Sequence, residues 1–222
     1  MPRRGKIAKQ LELPVKERSW GGRRAGAGRR PNAPHPWGNT PGVPHLKRAE
    51  IERRHPVHVT LRLVPEVWNL RSRRSFRALE NALFRLRELG VRLTHYSVQG
   101  NHVHAIVEVE SRHALARGMR SFAVRAAKAL NRMMGRSGRV IADRYHAAVL
   151  RTPRQVRNAI HYVLANTRKH LLERRASVGP VTADDYAAGP ADHVPKTMRL
   201  RPSPLLLAPR TWLLREGWRR AT

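Results

Sequence analysis

The 222-residue sequence contains no cysteine and no long apolar run, and both absences narrow what it can be. Without cysteine, neither disulfides nor thiolate metal sites can form, which favours a reducing, cytoplasmic location. No apolar run approaches the roughly 20 residues that a membrane helix requires, so we expect no membrane association. The N-terminal MPRRGKIAKQ has no apolar signal core behind its charges, which argues against secretion.

Acidic side chains are also scarce. Fifteen Asp and Glu stand against 45 Lys and Arg, and the formal net charge is +30. Repulsion on this scale favours a polyanionic partner, and nucleic acid is the usual one. We therefore expect a nucleic-acid-binding protein, with ribosomal RNA and anionic membrane surfaces as the competing partners.

Composition divides the chain into three predicted segments. Residues 1–56 hold half of the 16 prolines, and GGRRAGAGRRPNAPHPWGNTPGVPH predicts a flexible basic arm. Residues 57–173 have the patterning of a folded domain, and residues 174–222 form a C-terminal extension with a short terminal helix. In the arm, four arginines are predicted to contact nucleic acid: Arg23, Arg24, Arg29 and Arg30.

Periodicity in residues 57–173 predicts strand–helix–strand–strand–helix–strand, followed by one more helix. The predicted elements are a strand at 57–63, a helix capped by Ser75 and ending at Gly90, strands at 91–98 and 102–109 around the turn Gln99–Asn101, a helix at about 111–134, a weaker strand within 138–150, and a helix from the capping box Thr152–Gln155 to about Leu172. This order describes an α+β fold, a ferredoxin-like antiparallel sheet with helices on one face.

The stretch NHVHAIVE places two histidines on one predicted strand. Because alternate strand residues share a face, His102 and His104 lie with Ile106 and Glu108, on what we call the histidine face. The valines between them form the core side, so we expect the histidine face to be open. Two such imidazoles can share one metal ion. Ordinary surface histidines or base-stacking groups remain the alternatives.

The last predicted helix carries polar groups beside its apolar stripe. The stripe contains Val156, Ile160 and Val163, whereas Tyr162 and Asn166 lie together off it, one turn apart. A tyrosine, an amide and two histidines in a very basic protein indicate phosphoryl chemistry on nucleic acid. A hard divalent cation would polarise a phosphate oxygen, and the phenol oxygen would attack phosphorus.

These residues carry a family resemblance. NHVHAIV resembles the His-hydrophobe-His signature of HUH endonucleases, and together with the later AIHYVLANTRKH it resembles the single-tyrosine transposases, in particular the REP-associated tyrosine transposases. The resemblance covers about residues 57–172, and YVLANTRK matches the tyrosine helix at Tyr162, Asn166 and Lys169. RYHAAVL also resembles the strand before that helix. The turn at Gln99-Gly100 and Thr167 depart from the family pattern, although neither removes a chemical group.

The resemblance implies a transposase and single-strand endonuclease that cleaves and rejoins hairpin-forming single-stranded DNA through a 5′-phosphotyrosine. It implies Tyr162 as the nucleophile, and His102, His104 and Asn166 as ligands of Mg²⁺ or Mn²⁺. Further DNA contacts are expected from Arg144, Tyr145, Arg168 and Lys169. The location expected for such a protein is cytoplasmic and nucleoid-associated.

Several alternatives stay open at the level of sequence. Tyr145, beside His146, is a rival nucleophile, although a structural or DNA-contacting role suits its strand position better. His55 and His58 could add a ligand, although ordinary surface or phosphate contacts are the simpler interpretation. The chain could instead be a non-catalytic or domesticated binder of DNA or structured RNA, or a nuclease that cuts with water. The target sequence and the choice between monomer and homodimer are also open.

Overall fold

The computed structural model describes residues 49–173, 186–194, 200 and 202–221, and for 166–173 it describes the helical backbone alone. Every described residue belongs to one compact unit, His35–Thr222. The arm arginines predicted to bind nucleic acid (Arg23, Arg24, Arg29 and Arg30) lie outside the described residues. Within the described ranges, no helix is long and apolar enough to cross a membrane.

The predicted antiparallel sheet of an α+β fold is confirmed. Its strands run in the order β4-β1-β3-β2-β5, and every pairing is antiparallel. The elements are β1 (Val57–Arg62), α1 (Arg73–Phe84), a 3₁₀ helix (Arg85–Leu89), β2 (Arg92–Val98), β3 (His102–Glu108), α2 (Arg112–Met134), β4 (His146–Val149), α3 (Pro153–Glu173), β5 (Ala187–Ala188), a 3₁₀ helix (Ala191–His193), α4 (Trp212–Arg215) and a 3₁₀ helix (Gly217–Arg220). The first four strands thus have the ferredoxin-like arrangement, and β5 adds a short edge strand.

Side-chain caps fix where the helices begin. The predicted capping box of α3 forms: the Gln155 N–H donates to Thr152 Oγ1 at 3.2 Å, and the Thr152 N–H donates to Gln155 Oε1 at 3.2 Å. The predicted cap of α1, Ser75, is wrong. Ser72 is the cap, because its backbone is extended and its Oγ accepts the Ser75 N–H at 3.1 Å. Ser75 is buried inside the first turn of the helix. Because the two serines are only three residues apart, the sequence alone does not distinguish which of them begins α1.

One face of the sheet carries the main core, as the alternation of β3 predicts. Val103, Ala105 and Val107 are buried there in one cluster with Leu79 of α1 and Phe122 of α2. At about 25 cal/mol per Å² of apolar surface removed from water, this burial is the main stabilising contribution to the fold. The core therefore fixes β3 so that its other residues point to the histidine face.

The histidine face is not fully open, which corrects the expectation from sequence. α3 packs on it through its apolar stripe: Val156, Ile160 and Val163 are buried with Ile106 of β3. Leu214 of α4 completes this smaller cluster. The reason is that Ile106 is apolar on an otherwise polar face, so it gives α3 a place to dock. The covering is partial, and the polar residues of β3 flank it along the strand.

The C-terminal residues pack against the sheet through polar contacts. Glu108, at the end of β3, is buried, and its carboxylate accepts the backbone N–H groups of Arg210 and Thr211. At the middle of β2, His95 Nε2 lies 2.9 Å from His193 Nδ1, and both rings are buried. Burial and the neighbouring His193 hold the pKa of His95 well below its usual value, so the ring is neutral. The Glu108 contact thus ties the residues before α4 to β3, and the His95–His193 contact ties the 3₁₀ helix Ala191–His193 to β2.

Candidate active site

Pairing between β1 and β3 gathers histidines on the histidine face. In the antiparallel register, Thr60 is opposite His104 and His58 is opposite Ile106, so both β1 residues share the face of His104. The rings of His102 and His104 lie 4.7 Å apart between centroids, at 87°. The ring of His58 lies 5.4 Å from that of His104.

α3 sets Tyr162 over these histidines. Ile160 and Val163 are buried against the sheet, and Tyr162, next to Val163 on the helix, lies at the edge of this contact. The Tyr162 ring lies edge-on to His104 at 5.0 Å and to His58 at 5.8 Å, and its side chain is 43% exposed. The structure thus brings together Tyr162, His102 and His104, as the sequence predicts. We call these three residues and His58 the histidine–tyrosine cluster.

Hydrogen bonds orient both histidines of β3. Nδ1 of His102 lies 2.8 Å from Asn101 Oδ1, and Nδ1 of His104 lies 3.0 Å from Thr60 Oγ1. An Nδ1–H that donates to such an oxygen leaves Nε2 with the lone pair, which is the arrangement that metal-binding histidines use. With that tautomer, the two Nε2 lone pairs could be offered to one divalent cation.

His58 also belongs to the cluster, although ordinary surface or phosphate contacts were the simpler interpretation of its sequence position. Burial, and second the neighbouring His146, lower the pKa of His58 from 6.5 to about 4, so the ring is neutral at pH 7. Its Nε2 is buried and makes no hydrogen bond within the described part of the chain. The sequence did contain one signal, since in VHVTLRL the alternation puts His58 and Thr60 on one side. Only the register with β3 shows which histidine that side meets.

The third predicted ligand stays a prediction. Asn166 lies on α3 one turn after Tyr162, but its side chain falls outside the described residues, as do those of Arg168 and Lys169. Among the residues that are described, no group of three or more His, Cys, Asp and Glu is arranged to hold a metal ion. Asparagine is not one of those four residue types, so the predicted ligand set of His102, His104 and Asn166 remains to be tested.

The structure does not bring Tyr145 to the cluster. β4 pairs with β1 so that His146 is opposite Thr60 on the histidine face. Tyr145, which precedes His146, therefore points toward the face that carries the main core. Tyr145 is half-buried there, packed against the main core. Arg144 is half-buried beside it, and its backbone N–H donates to Asp143 Oδ1 at 2.7 Å. DNA contacts by Arg144 and Tyr145 remain predictions.

Comparison with known proteins gives structural similarity only. No protein-family model matches this chain, and no curated protein matches it by sequence. A REP-associated tyrosine transposase bound to a REP hairpin is similar in structure, with 17% identity and a TM-score of 0.48 over 58% of this chain and 74% of that chain. A candidate transposase from Deinococcus radiodurans R1 has 12% identity and a TM-score of 0.37 over 62% of this chain and 99% of that chain.

Proposed function

We propose that this protein is a tyrosine transposase-like enzyme that cleaves and rejoins single-stranded DNA. The observation that carries the proposal is the contact of the half-exposed Tyr162 ring with His104, on a sheet face where His102 and His104 lie side by side. A solvent-accessible phenol next to paired imidazoles is an arrangement that can support nucleophilic attack on a phosphodiester. The net charge of +30 supports a nucleic acid as the substrate.

The proposed reaction is a transesterification. The Tyr162 Oη forms a bond to phosphorus as the bond between phosphorus and the 3′-oxygen breaks. The products are a 5′-phosphotyrosine and a free 3′-hydroxyl: the phenol proton passes to solvent, to which Tyr162 is exposed, and the leaving 3′-oxygen takes up a proton from solvent. Attack by a second 3′-hydroxyl reverses these steps and rejoins DNA, so the bond energy is conserved and no nucleotide cofactor is consumed.

The residues proposed to hold a divalent cation are His102, His104 and Asn166. When bound, Mg²⁺ or Mn²⁺ would polarise a phosphate oxygen and stabilise the charge on the leaving oxygen. The protein itself orients the imidazoles, since Asn101 and Thr60 engage their Nδ1 atoms. His58 is neutral at pH 7, so it brings no further positive charge against this site.

A gel assay with matched tyrosine variants tests the proposal. The full chain is incubated with end-labelled, hairpin-bearing single-stranded DNA and Mn²⁺, and the products are separated under denaturing conditions. We expect a covalent protein–DNA band that Tyr162→Phe abolishes while DNA binding survives. Tyr145→Phe is the control, because Tyr145 lies toward the opposite sheet face, and it should retain the band.

The other outcomes identify the alternatives. Cleavage that persists in Tyr162→Phe would indicate a nuclease that uses water. Binding without cleavage at any divalent metal would indicate a non-catalytic nucleic-acid-binding protein, and tighter binding of structured RNA than of DNA would change the substrate class. A covalent band lost in Tyr145→Phe but kept in Tyr162→Phe would contradict the assignment of the nucleophile.

A further inference from the structure

A second polar feature lies at the far end of β3 from His102. It is a cavity of about 610 Å³, lined by residues of β2, β3 and the C-terminal segment, including Arg87, Arg92, Glu108 and Trp212. We call it the Arg–Trp cavity. Glu108 lies six positions after His102 along β3, which is about 20 Å at roughly 3.3 Å per residue. The cavity is therefore distinct from the histidine–tyrosine cluster.

The charge of the Arg–Trp cavity is strongly positive. Five arginines and two glutamates line it. Glu108 is already engaged by two backbone N–H groups and lies 3.8 Å from Arg92 Nε, and Glu110 forms an exposed ion pair with Arg53 at 3.2 Å. Arg54 is paired with Glu52 at 2.8 Å. The excess positive charge is therefore that of Arg87 and Arg210, whose guanidinium groups have no carboxylate partner among the described residues, and an anion suits it.

Two of the arginines are held in place by the backbone of the C-terminal segment. Arg87 Nη2 donates to the Pro204 carbonyl at 2.7 Å, and Arg92 Nη1 donates to the Ala208 carbonyl at 3.0 Å. Arg87 Nε is buried and makes no hydrogen bond to any described residue. The two guanidinium groups are thus held in place, and their remaining Nη–H donors can meet a phosphate oxygen, whereas Arg87 Nε is too buried to do so.

Trp212 gives the cavity an aromatic surface. Its side chain is 48% exposed, which is unusual for so large an apolar group. Gly217 lies close against the six-membered ring: a Cβ added there would be 2.8 Å from Trp212 Cζ3 and 3.2 Å from Cη2. The absence of a side chain at 217 therefore lets the indole rest on the backbone. An exposed indole held in this way is suited to stack with a nucleobase.

We propose that the Arg–Trp cavity binds a nucleotide of single-stranded DNA, with the base stacked on Trp212 and the phosphate held by Arg87 and Arg92. The choice of DNA rests on the proposed function, whereas the recognition of a base and a phosphate rests on the cavity alone. A strand that reaches from His102 to the cavity must span this distance of about 20 Å, which takes fewer nucleotides in extended single-stranded DNA than in a stacked duplex. The cavity would thus hold the flank of the DNA that is cleaved at the cluster.

The test measures binding against tail length. Fluorescence anisotropy follows the full chain as it binds labelled DNA hairpins with a series of thymidine tails, from too short to long enough to cross the distance from the cluster to the cavity. Longer tails should bind more tightly to the native protein. Trp212→Ala should weaken binding of the long-tailed hairpin about tenfold or more and leave the short-tailed hairpin unchanged. Trp212→Phe should keep most of the tighter binding of the long-tailed hairpin, because phenylalanine still stacks with a base.

Three further variants sharpen the test. Trp68→Ala is the matched control, because Trp68 is 50% exposed with the Arg74 guanidinium 5.7 Å from its ring, and it does not line the cavity. It should bind like the native protein. Gly217→Ala should reproduce the loss by displacing the indole. Arg87→Gln should weaken long-tail binding and lower its dependence on salt.

The outcomes separate this proposal from the proposed function. Unchanged long-tail binding by Trp212→Ala overturns the cavity proposal, even if Tyr162 forms its covalent band. A loss confined to long tails in Trp212→Ala supports the cavity, even if no DNA forms a covalent band. Tighter binding of the matching RNA, lost in the same variant, overturns the assignment to DNA. Urea unfolding of each variant, together with Trp212→Phe, separates lost stacking from lost folding.

Discussion

Replacing Glu108 with alanine tests how the C-terminal segment is attached to the sheet. The carboxylate is 6% exposed, and it accepts the Arg210 N–H at 2.9 and 3.0 Å and the Thr211 N–H at 2.7 Å. It is the polar contact that joins the end of β3 to the start of α4. Removing it leaves two backbone donors without their partner and takes away the acid beside Arg92.

The structure sets the size of the effect. A hydrogen bond to a charged group contributes about 1.5–3 kcal/mol, so two of them suggest about 3–6 kcal/mol. Arg210 is exposed, so water can replace the carboxylate at its N–H, whereas Thr211 is buried. We therefore expect Glu108→Ala to lower the free energy of unfolding by about 3 kcal/mol, at the low end of that range. Glu108→Gln should cost about 1–2 kcal/mol, because Oε1 alone contacts both donors and only its charge is lost.

Urea unfolding of the full chain, followed by circular dichroism, provides the measurement. Glu110→Ala is the matched control: Glu110 is two residues away, its side chain is 71% exposed, and it pairs with exposed Arg53. Its loss should change the free energy of unfolding by less than about 1 kcal/mol. Equal effects of Glu108→Ala and Glu110→Ala would refute the inference that the buried carboxylate anchors the C-terminal segment.

Three other predictions follow from buried contacts. Because burial lowers the pKa of His95 below the usual 6.5, protons bind the unfolded chain more readily than the folded chain at acid pH. The urea concentration at the unfolding midpoint should therefore decrease as the pH drops under about 6.5, and it should decrease less in His95→Gln. A midpoint that does not change with pH would contradict this. Ile160→Ala should cost about 2–5 kcal/mol in urea unfolding and slow covalent-band formation, since Ile160 docks the helix of Tyr162; a normal rate would argue against this positioning. Thr60→Val removes the partner of His104 Nδ1 and should weaken Mn²⁺ binding by calorimetry about 10–100-fold, whereas unchanged affinity would oppose the ligand role.

The sequence predicted well those features that depend on neighbouring residues. The alternation in β3 correctly assigned the valines to the core and the histidines to the other face. The capping box at Thr152–Gln155 fixed the start of α3, because both of its hydrogen bonds join residues three apart. Local periodicity and capping are properties of a short segment, and they can be read before the fold is known.

Features that depend on distant residues could not be predicted in this way. His58 joins the cluster only because β1 pairs with β3 in a particular register, and β3 lies more than 40 residues later in the chain. The contact of Glu108 with Arg210 spans 102 residues and involves a backbone donor, which leaves no pattern in the sequence. The partial covering of the histidine face by α3 likewise depends on one residue, Ile106, whose partner helix comes after β4.

Peptide mass spectrometry tests the central claim most directly. The protein would be incubated with hairpin-bearing single-stranded DNA and Mn²⁺, the DNA digested with nuclease, and the tryptic peptides analysed. The account predicts a peptide that contains Tyr162 and carries a nucleotide linked through its 5′-phosphate, absent when the DNA or the metal is omitted. A nucleotide found on Tyr145 instead, or DNA cleaved with every tyrosine unmodified, would contradict it.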